Sequence, residues 1–203
     1  MQVEECPQCG APASPSDKKC NFCKCEFFVA SLSYVGSFDK GAIDKYINHY
    51  KELAKTDPEN GEAIFSLGLC YLQLKLFPLA QKNFERATEL IPEYPDVYYY
   101  YALSIIKGRR VKSLTLKEIK SIEQYLNTAI QLDQSKAKYY YLSAILKYDY
   151  YRMNGLAVPA PAENELIEEA KTKVQEPEEI QRLLDSIIVR DENFISLIIG
   201  LSK

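Results

Sequence analysis

Six cysteines and a single histidine hold most of the reactive chemistry available to this 203-residue chain. Four of the cysteines form two pairs, Cys6-Pro7-Gln8-Cys9-Gly10 and Cys20-Asn21-Phe22-Cys23, each a C-x-x-C, with ten residues between them. Two thiolates at that spacing on a tight turn grip one edge of a coordination tetrahedron. A second such turn facing the first completes a four-sulfur site of the kind zinc prefers. The segment is too short to fold by apolar burial alone, so a metal is expected to act as its core, contributing on the order of 10 kcal/mol to folding. A closed set of four cysteines leaves no coordination position for water, so the expected single Zn²⁺ is structural. A redox dithiol or a pair of disulfides is the competing reading of the same residues.

A fifth cysteine, Cys25, follows Lys24 directly after the second pair. It either replaces Cys23 as a ligand or stays a thiol beside the metal. The symmetry of the two C-x-x-C turns favours Cys23. As a thiol, Cys25 would make the site an oxidant sensor. Cys70 stands in an apolar helical stretch without a basic neighbour and reads as a small core residue.

Composition narrows the function. Apolar residues make up 47 % and charged residues 26 %, enough for a packed core, and the net charge of −3 argues against a globally basic nucleic-acid binder. One histidine, His49, leaves almost no material for histidine-based catalysis. The chain shows no phosphate loop, nucleophile elbow or H-E-x-x-H, so it is expected not to be an enzyme. No apolar run reaches the roughly 18 residues of a membrane span, the nearest being 194–201. Metal-type cysteines point to a reducing compartment, hence the cytoplasm.

The elements that must carry these residues are helical. From Asp39 onward apolar residues recur at three- and four-residue intervals, and the expected organisation is 1–28 metal module, 29–38 linker, 39–154 helical repeats, 155–162 proline-containing loop and 163–203 helices that complete and cap the stack. Helices are expected at 62–74, 78–90, 96–107, 116–132, 136–147, 163–174 and 178–189, with a short one after Asp191. The cap at 178–189 is expected to bury Leu183, Leu184, Ile187 and Ile188. The apolar 194–201 tail is expected to dock on the last helices or to support a homo-oligomer.

Two resemblances follow from quoted residues. Cys-Pro-x-Cys-Gly, Cys-x-Phe-Cys and Glu26-Phe27 resemble the small zinc ribbons that open many bacterial and archaeal multidomain proteins, which implies a β-type fold for about the first 25 residues. Those ribbons usually carry glycine where Lys24 stands. Ile64-x-x-Leu67-Gly68-x-x-Tyr71 followed by Ala80-x-x-x-Phe84-x-x-Ala87 and Pro92 resembles the tetratricopeptide repeat, with Ile64 in place of the opening tryptophan. Looser copies begin at Asp96 and Lys136, giving about three units plus caps. The resemblance implies a mostly α fold and a non-catalytic adaptor or scaffold. Its first helices would line a groove for a protein or peptide partner, with Phe65, Leu69, Tyr99, Leu103, Ile106, Tyr139 and Leu146 facing it. The tyrosine clusters leave open whether these residues form groove or core. The runner-up is a nucleic-acid-associated factor that uses the ribbon lysines Lys18, Lys19 and Lys24 and the basic 107–112 loop.

Overall fold

The computed structural model describes residues 5–14 and 17–200, and its chain forms two compact units, Met1–Pro92 and Glu93–Lys203. Leu201 of the apolar tail lies outside the described residues.

In the first unit the cysteine turns lead into α1 (Leu32–Val35), α2 (Lys40–Thr56), α3 (Gly61–Gln73) and α4 (Phe77–Leu90). The 29–38 stretch expected as linker thus holds a helical turn whose Leu32 and Val35 are buried. Capping side chains set the starts of the longer helices. Asp39 accepts from the Ala42 N–H at 2.8 Å, and Asn60 accepts from that of Ala63 at 3.0 Å. Pro78 falls in the first turn of α4, where a missing N–H costs nothing. Helices α3 and α4 form a hairpin, and its closest approach is at Gly68. A methyl group there would lie 2.7 Å from Phe84 Cε1 and 2.9 Å from Cδ1. Phe84, Ala80 and Ala87 are fully buried on the facing side, so the repeat pattern marks a real packing constraint.

The second unit contains α5 (Pro95–Ile106), a 3₁₀ turn (Val111–Ser113), α6 (Leu116–Leu132), α7 (Ala137–Leu146), a π-helical turn (Lys147–Tyr151), a 3₁₀ turn (Arg152–Asn154), α8 (Glu163–Lys171), α9 (Pro177–Ser186) and α10 (Glu192–Ile198). Helices α5 and α6 form one hairpin, α7 and α8 another. Every residue of α7 is buried, which is why its sequence shows no polar face. The insertion between α5 and α6 is folded inward. Val111 is fully buried, and Arg110 donates twice to Asp149 Oδ1, at 2.9 and 3.0 Å. Asp149 Oδ2 accepts from the Lys112 N–H at 2.8 Å. Asp149 belongs to the π-helical turn, so the irregular backbone there coincides with the anchor of the insertion.

The expected helices are present with ends shifted by a few residues. The largest differences are in α8, which stops at Lys171, and α9, which stops at Ser186. On α9 the buried face is Ile180 and Leu183, followed by Ile187 just beyond it, while Ile188 is 49 % exposed. That corrects the expected register, which paired adjacent apolar residues that helical geometry sends to different faces. Among the described residues there is no β-strand, only isolated bridges. The β-type ribbon expected for 1–28 is replaced there by two turns, each closed by one antiparallel bridge. No helix of the described residues is long and apolar enough to cross a membrane.

Two measurements test this packing. Gly68→Ala should destabilise the chain by about 1–3 kcal/mol in urea unfolding, and Phe84→Leu in the same chain should recover part of that loss. The start of α6 is a capping box, with Thr115 and Glu118 each bonding the other's backbone, and Arg109 joins Glu118 at 2.5 Å. The Thr115 N–H, and then Arg109, pull the Glu118 carboxyl from 4.5 down to about 2. Its contribution is therefore present above pH 4.5 and is lost as pH falls towards 2. Glu118→Gln should cost about 1 kcal/mol at pH 7, with the gap to wild type closing across that window.

Candidate functional site

The two C-x-x-C segments adopt the same backbone. In the first, the Cys6 N–H donates to Ala11 O at 2.8 Å and the Gly10 N–H to Cys6 O at 2.9 Å. In the second, the Cys20 N–H donates to Cys25 O at 2.8 Å and the Lys24 N–H to Cys20 O at 3.1 Å. Gly10 and Lys24 occupy equivalent left-handed positions, at φ of 71° and 63°. Glycine adopts that conformation without steric cost. Lys24 does not, and its ammonium donates back to Asn21 O at 2.7 Å.

Folding the turns against each other brings Cys6, Cys9, Cys20 and Cys23 together, with all four sulfurs within 4.8 Å of one another. Cys6 and Cys23 are 3.5 Å apart, and Cys9 and Cys20 are 3.7 Å apart. A tetrahedral site with Zn–S bonds of about 2.3 Å has sulfur–sulfur edges of about 3.8 Å, so this donor set fits a single metal ion. The Gln8 N–H donates to Cys6 Sγ and the Phe22 N–H to Cys20 Sγ, each at 3.4 Å. The Cys25 N–H is the main influence drawing the Cys23 thiol down to about 6, and the Cys23 N–H does the same to Cys20, whose thiol is also lowered. Burial acts the other way on Cys6 and Cys25, pushing both thiols up. A bound ion would supply the positive charge that keeps four thiolates together.

Cys25 lies outside the four-sulfur set but touches it, with its sulfur 3.4 Å from Cys6 Sγ. It is buried, whereas Cys23 is exposed. Cys70 is fully buried in α3, as expected of a core residue.

Tyrosine hydroxyls fasten the cysteine segment to the helices of its unit. Tyr34 accepts from the Glu26 N–H at 2.6 Å, and Tyr46 donates to Glu26 O at 2.8 Å. Tyr50 donates to Phe27 O at 2.9 Å and accepts from the Val29 N–H at 3.1 Å. At the first knuckle, Gln8 Nε2 donates to Ala42 O and Lys45 donates to Gln8 O, both at 2.9 Å. Phe22, at the equivalent place in the second knuckle, is 70 % exposed.

All seven residues expected to line a partner groove are buried. In the first unit Phe65 and Leu69 have no exposed surface, and the Phe65 ring lies 5.9 Å from Phe84 and 6.1 Å from Phe28. In the second unit Tyr99, Leu103, Ile106, Tyr139 and Leu146 are each at most 2 % exposed. Tyr99 and Tyr139 surround a residue that no sequence signal marked, Lys138, which is itself buried. Its ammonium lies 5.2 Å from the centroids of Tyr99 and Tyr100 and 5.8 Å from that of Tyr139. It pairs with Asp96 at 2.9 Å and approaches Glu176 and Glu179 at 3.7 Å. Tyr139 donates to Asp96 at 2.8 Å, and Tyr100 donates to Glu179. Burial first, and the carboxylates second, raise the hydroxyls of these tyrosines so that they stay protonated donors.

Three of the four basic residues of the 107–112 loop bond within the fold. Arg109 bonds Glu118, Arg110 bonds Asp149, and Lys112 donates to Met153 O. A cavity of about 370 Å³ beside α6, α7 and α8 is lined in part by Lys120 and Lys147, and both of these lysines pair with Glu123.

The fit of the sulfurs gives a direct test. Metal analysis of the reduced chain should find one zinc per chain, and Cys20→Ser should abolish it. Chelation should open trypsin cleavage after Lys18, Lys19 and Lys24 while the helical circular dichroism persists, because the cores of α2–α10 hold no cysteine of the site.

No family model and no curated protein matches this chain. Among solved structures, the crystal structure of MamA aligns with a TM-score of 0.53 at 23 % identity, over 71 % of this chain and 76 % of that one. MamA is a tetratricopeptide-like helical protein, and at this identity the likeness is one of fold. With the mostly helical hairpins described above, it establishes a tetratricopeptide-like helical domain in this chain.

Proposed function

We propose that this chain is a non-catalytic cytoplasmic adaptor, with one structural zinc held by Cys6, Cys9, Cys20 and Cys23, that binds a protein or peptide partner through its helical repeats. The observation that carries this reading is the helical-hairpin architecture shared with MamA, a fold suited to scaffolding between proteins. Fold likeness underdetermines function, so the assignment also draws on how the charged groups are used. Arg109 and Arg110 are committed to carboxylates within the fold, which weakens the case for phosphate contacts and favours a protein partner over nucleic acid. The zinc knuckles order the N-terminal segment, and their tyrosine anchors give it a fixed place on the first unit.

The partner surface we assign is the face of the first helices. Since Tyr99 and Tyr139 are buried, a partner reaches them only where the segment covering them moves aside.

Affinity purification of the full chain from its native host at physiological salt is expected to recover a protein partner in stoichiometric amount that survives nuclease treatment. Recovery of nucleic acid alone would overturn the assignment. A salt-sensitive gel shift lost on neutralising Lys18, Lys19, Arg109 and Arg110 would overturn it in the same way.

A further inference from the structure

In the second unit the chain's own C-terminal segment covers the first helices α5 and α7. The segment is tied down at its start: the Val174 N–H donates to Ser135 O at 2.7 Å, and the Ala137 N–H donates to Val174 O at 3.2 Å. Helix α9 follows immediately. Glu176 approaches Lys136 at 3.5 Å and Lys138 at 3.7 Å, and Glu179 approaches Lys138 at 3.7 Å while accepting from Tyr100 on α5. Ile180, Leu183 and Ile187 are buried below these carboxylates. Beyond the end of α7, Asp191 accepts from the Tyr148 hydroxyl, and Phe194 stacks on the Tyr148 ring with centroids 4.0 Å apart and planes 8° from parallel. The segment therefore runs the length of α7.

This is not how an array simply continues. Each repeat in a stack touches only its neighbours, so a helix opening a fourth unit would contact the α7–α8 hairpin. Glu179 meets Lys138 on α7 and also accepts from Tyr100 in the hairpin before it, so α9 packs on α7 and reaches across to α5, where a ligand of such an array would lie.

Charge defines what that face accepts. Without α9, it presents Lys136 and Lys138, both paired with Asp96, with Asp133 of the α6–α7 turn as the next carboxylate acting on them. α9 and the Glu176 that precedes it answer with two carboxylates three residues apart and apolar residues one and four positions after the second. The match is incomplete. Glu176 Oε2 is buried and makes no hydrogen bond, meeting the Lys138 ammonium only at the longer ion-pair distance of 3.7 Å. A ten-residue helix has little stability away from its docking surface, so α9 depends on these contacts to persist.

We propose that the α5–α7 face is the partner site of this chain, that it takes an acidic amphipathic helix from a partner protein, and that α9 is an internal occupant which such a helix displaces. The proposal rests on the adaptor reading and specifies the partner's chemistry: carboxylates at i and i+3, with apolar side chains at i+4 and i+7, as in Glu176, Glu179, Ile180 and Leu183.

The test uses the full chain and a fluorescent synthetic peptide of residues 175–200. In wild type the attached segment competes at an effective concentration in the millimolar range. Charge reversal in the chain, Glu176→Lys with Glu179→Lys, weakens the internal occupant and leaves the face intact. The expected result is peptide binding at least tenfold tighter to the variant than to wild type, and none when the peptide carries the two reversals. Equal affinity for both chains would overturn the proposal, as would no binding to a folded variant. If the variant fails to fold, wild type gives an independent reading: millimolar peptide should speed amide exchange across 177–186 several-fold while α6 is unaffected, and unchanged exchange would refute displacement. A partner recovered from the host despite that failure would leave the adaptor reading standing and move its contact elsewhere on the chain.

Discussion

The second unit is organised around one buried ammonium group. A charge taken out of water is costly unless the surrounding groups replace its hydration, and a lone buried lysine ordinarily loses its proton instead. Lys138 is ringed by groups that can take the place of water: Asp96 at 2.9 Å, two further carboxylates at 3.7 Å and three tyrosine faces within 6 Å. The groups come from α5, α7, α9 and the turn before α9, which ties parts of the chain distant in sequence to one point. Asp96, Glu176 and Glu179 all meet Lys138, so these elements are coupled through it as well as through their apolar contacts. The tyrosines serve twice, as apolar filler between helices and, through hydroxyls that burial keeps protonated, as donors to the same carboxylates.

The first unit meets a related demand with a different group. The cysteine segment buries Phe27 and three of its cysteines, and its internal order comes from paired backbone bonds and the closeness of four sulfurs. What holds it to the helices is a row of hydroxyls from Tyr34, Tyr46 and Tyr50 that satisfies the peptide groups of Glu26, Phe27 and Val29. Tyrosine suits this task because its ring packs between helices while its hydroxyl reaches peptide groups that lie outside any helix or strand. The abundance of tyrosine in a chain without tryptophan thus has a structural explanation in both units.

Local signals in the sequence were enough for most elements. Capping residues such as Asp39, Asn60 and Thr115, the helix-starting prolines and the Gly68–Phe84 pair each act within one hairpin, and the structure follows them closely. The cysteine spacing was legible for the same reason, since two short turns define the site. The partner-groove residues were less legible, because a helix buried all round gives no periodic cue to which face meets a ligand and which meets the core. Tyr99 and Tyr139, expected on a partner groove, are buried around Lys138, which reads in sequence as an ordinary solvated lysine. Its partners lie about forty residues away in each direction, and only the fold brings them together. The π-helical turn at 147–151 likewise has no local signature, because it accompanies the bond from Arg110 to Asp149 across 39 residues.

A short stack of helical hairpins has two open needs: an end that must be sealed from water, and a face of first helices that attracts whatever fits it. A separate polar cap would meet the first and leave the second exposed, with tyrosine and lysine groups available to any acidic peptide. Placing α9 across α5 and α7 meets both with one segment. That economy limits how tightly the segment can bind. A perfectly matched occupant would make the face inaccessible, whereas on our proposal an occupant whose Glu176 meets Lys138 only at 3.7 Å, without a hydrogen bond, keeps the core dry but can be displaced by a better-matched helix. On this proposal the long ion pair between Glu176 and Lys138 is what permits exchange, and strengthening it would stabilise the chain while closing the proposed partner face.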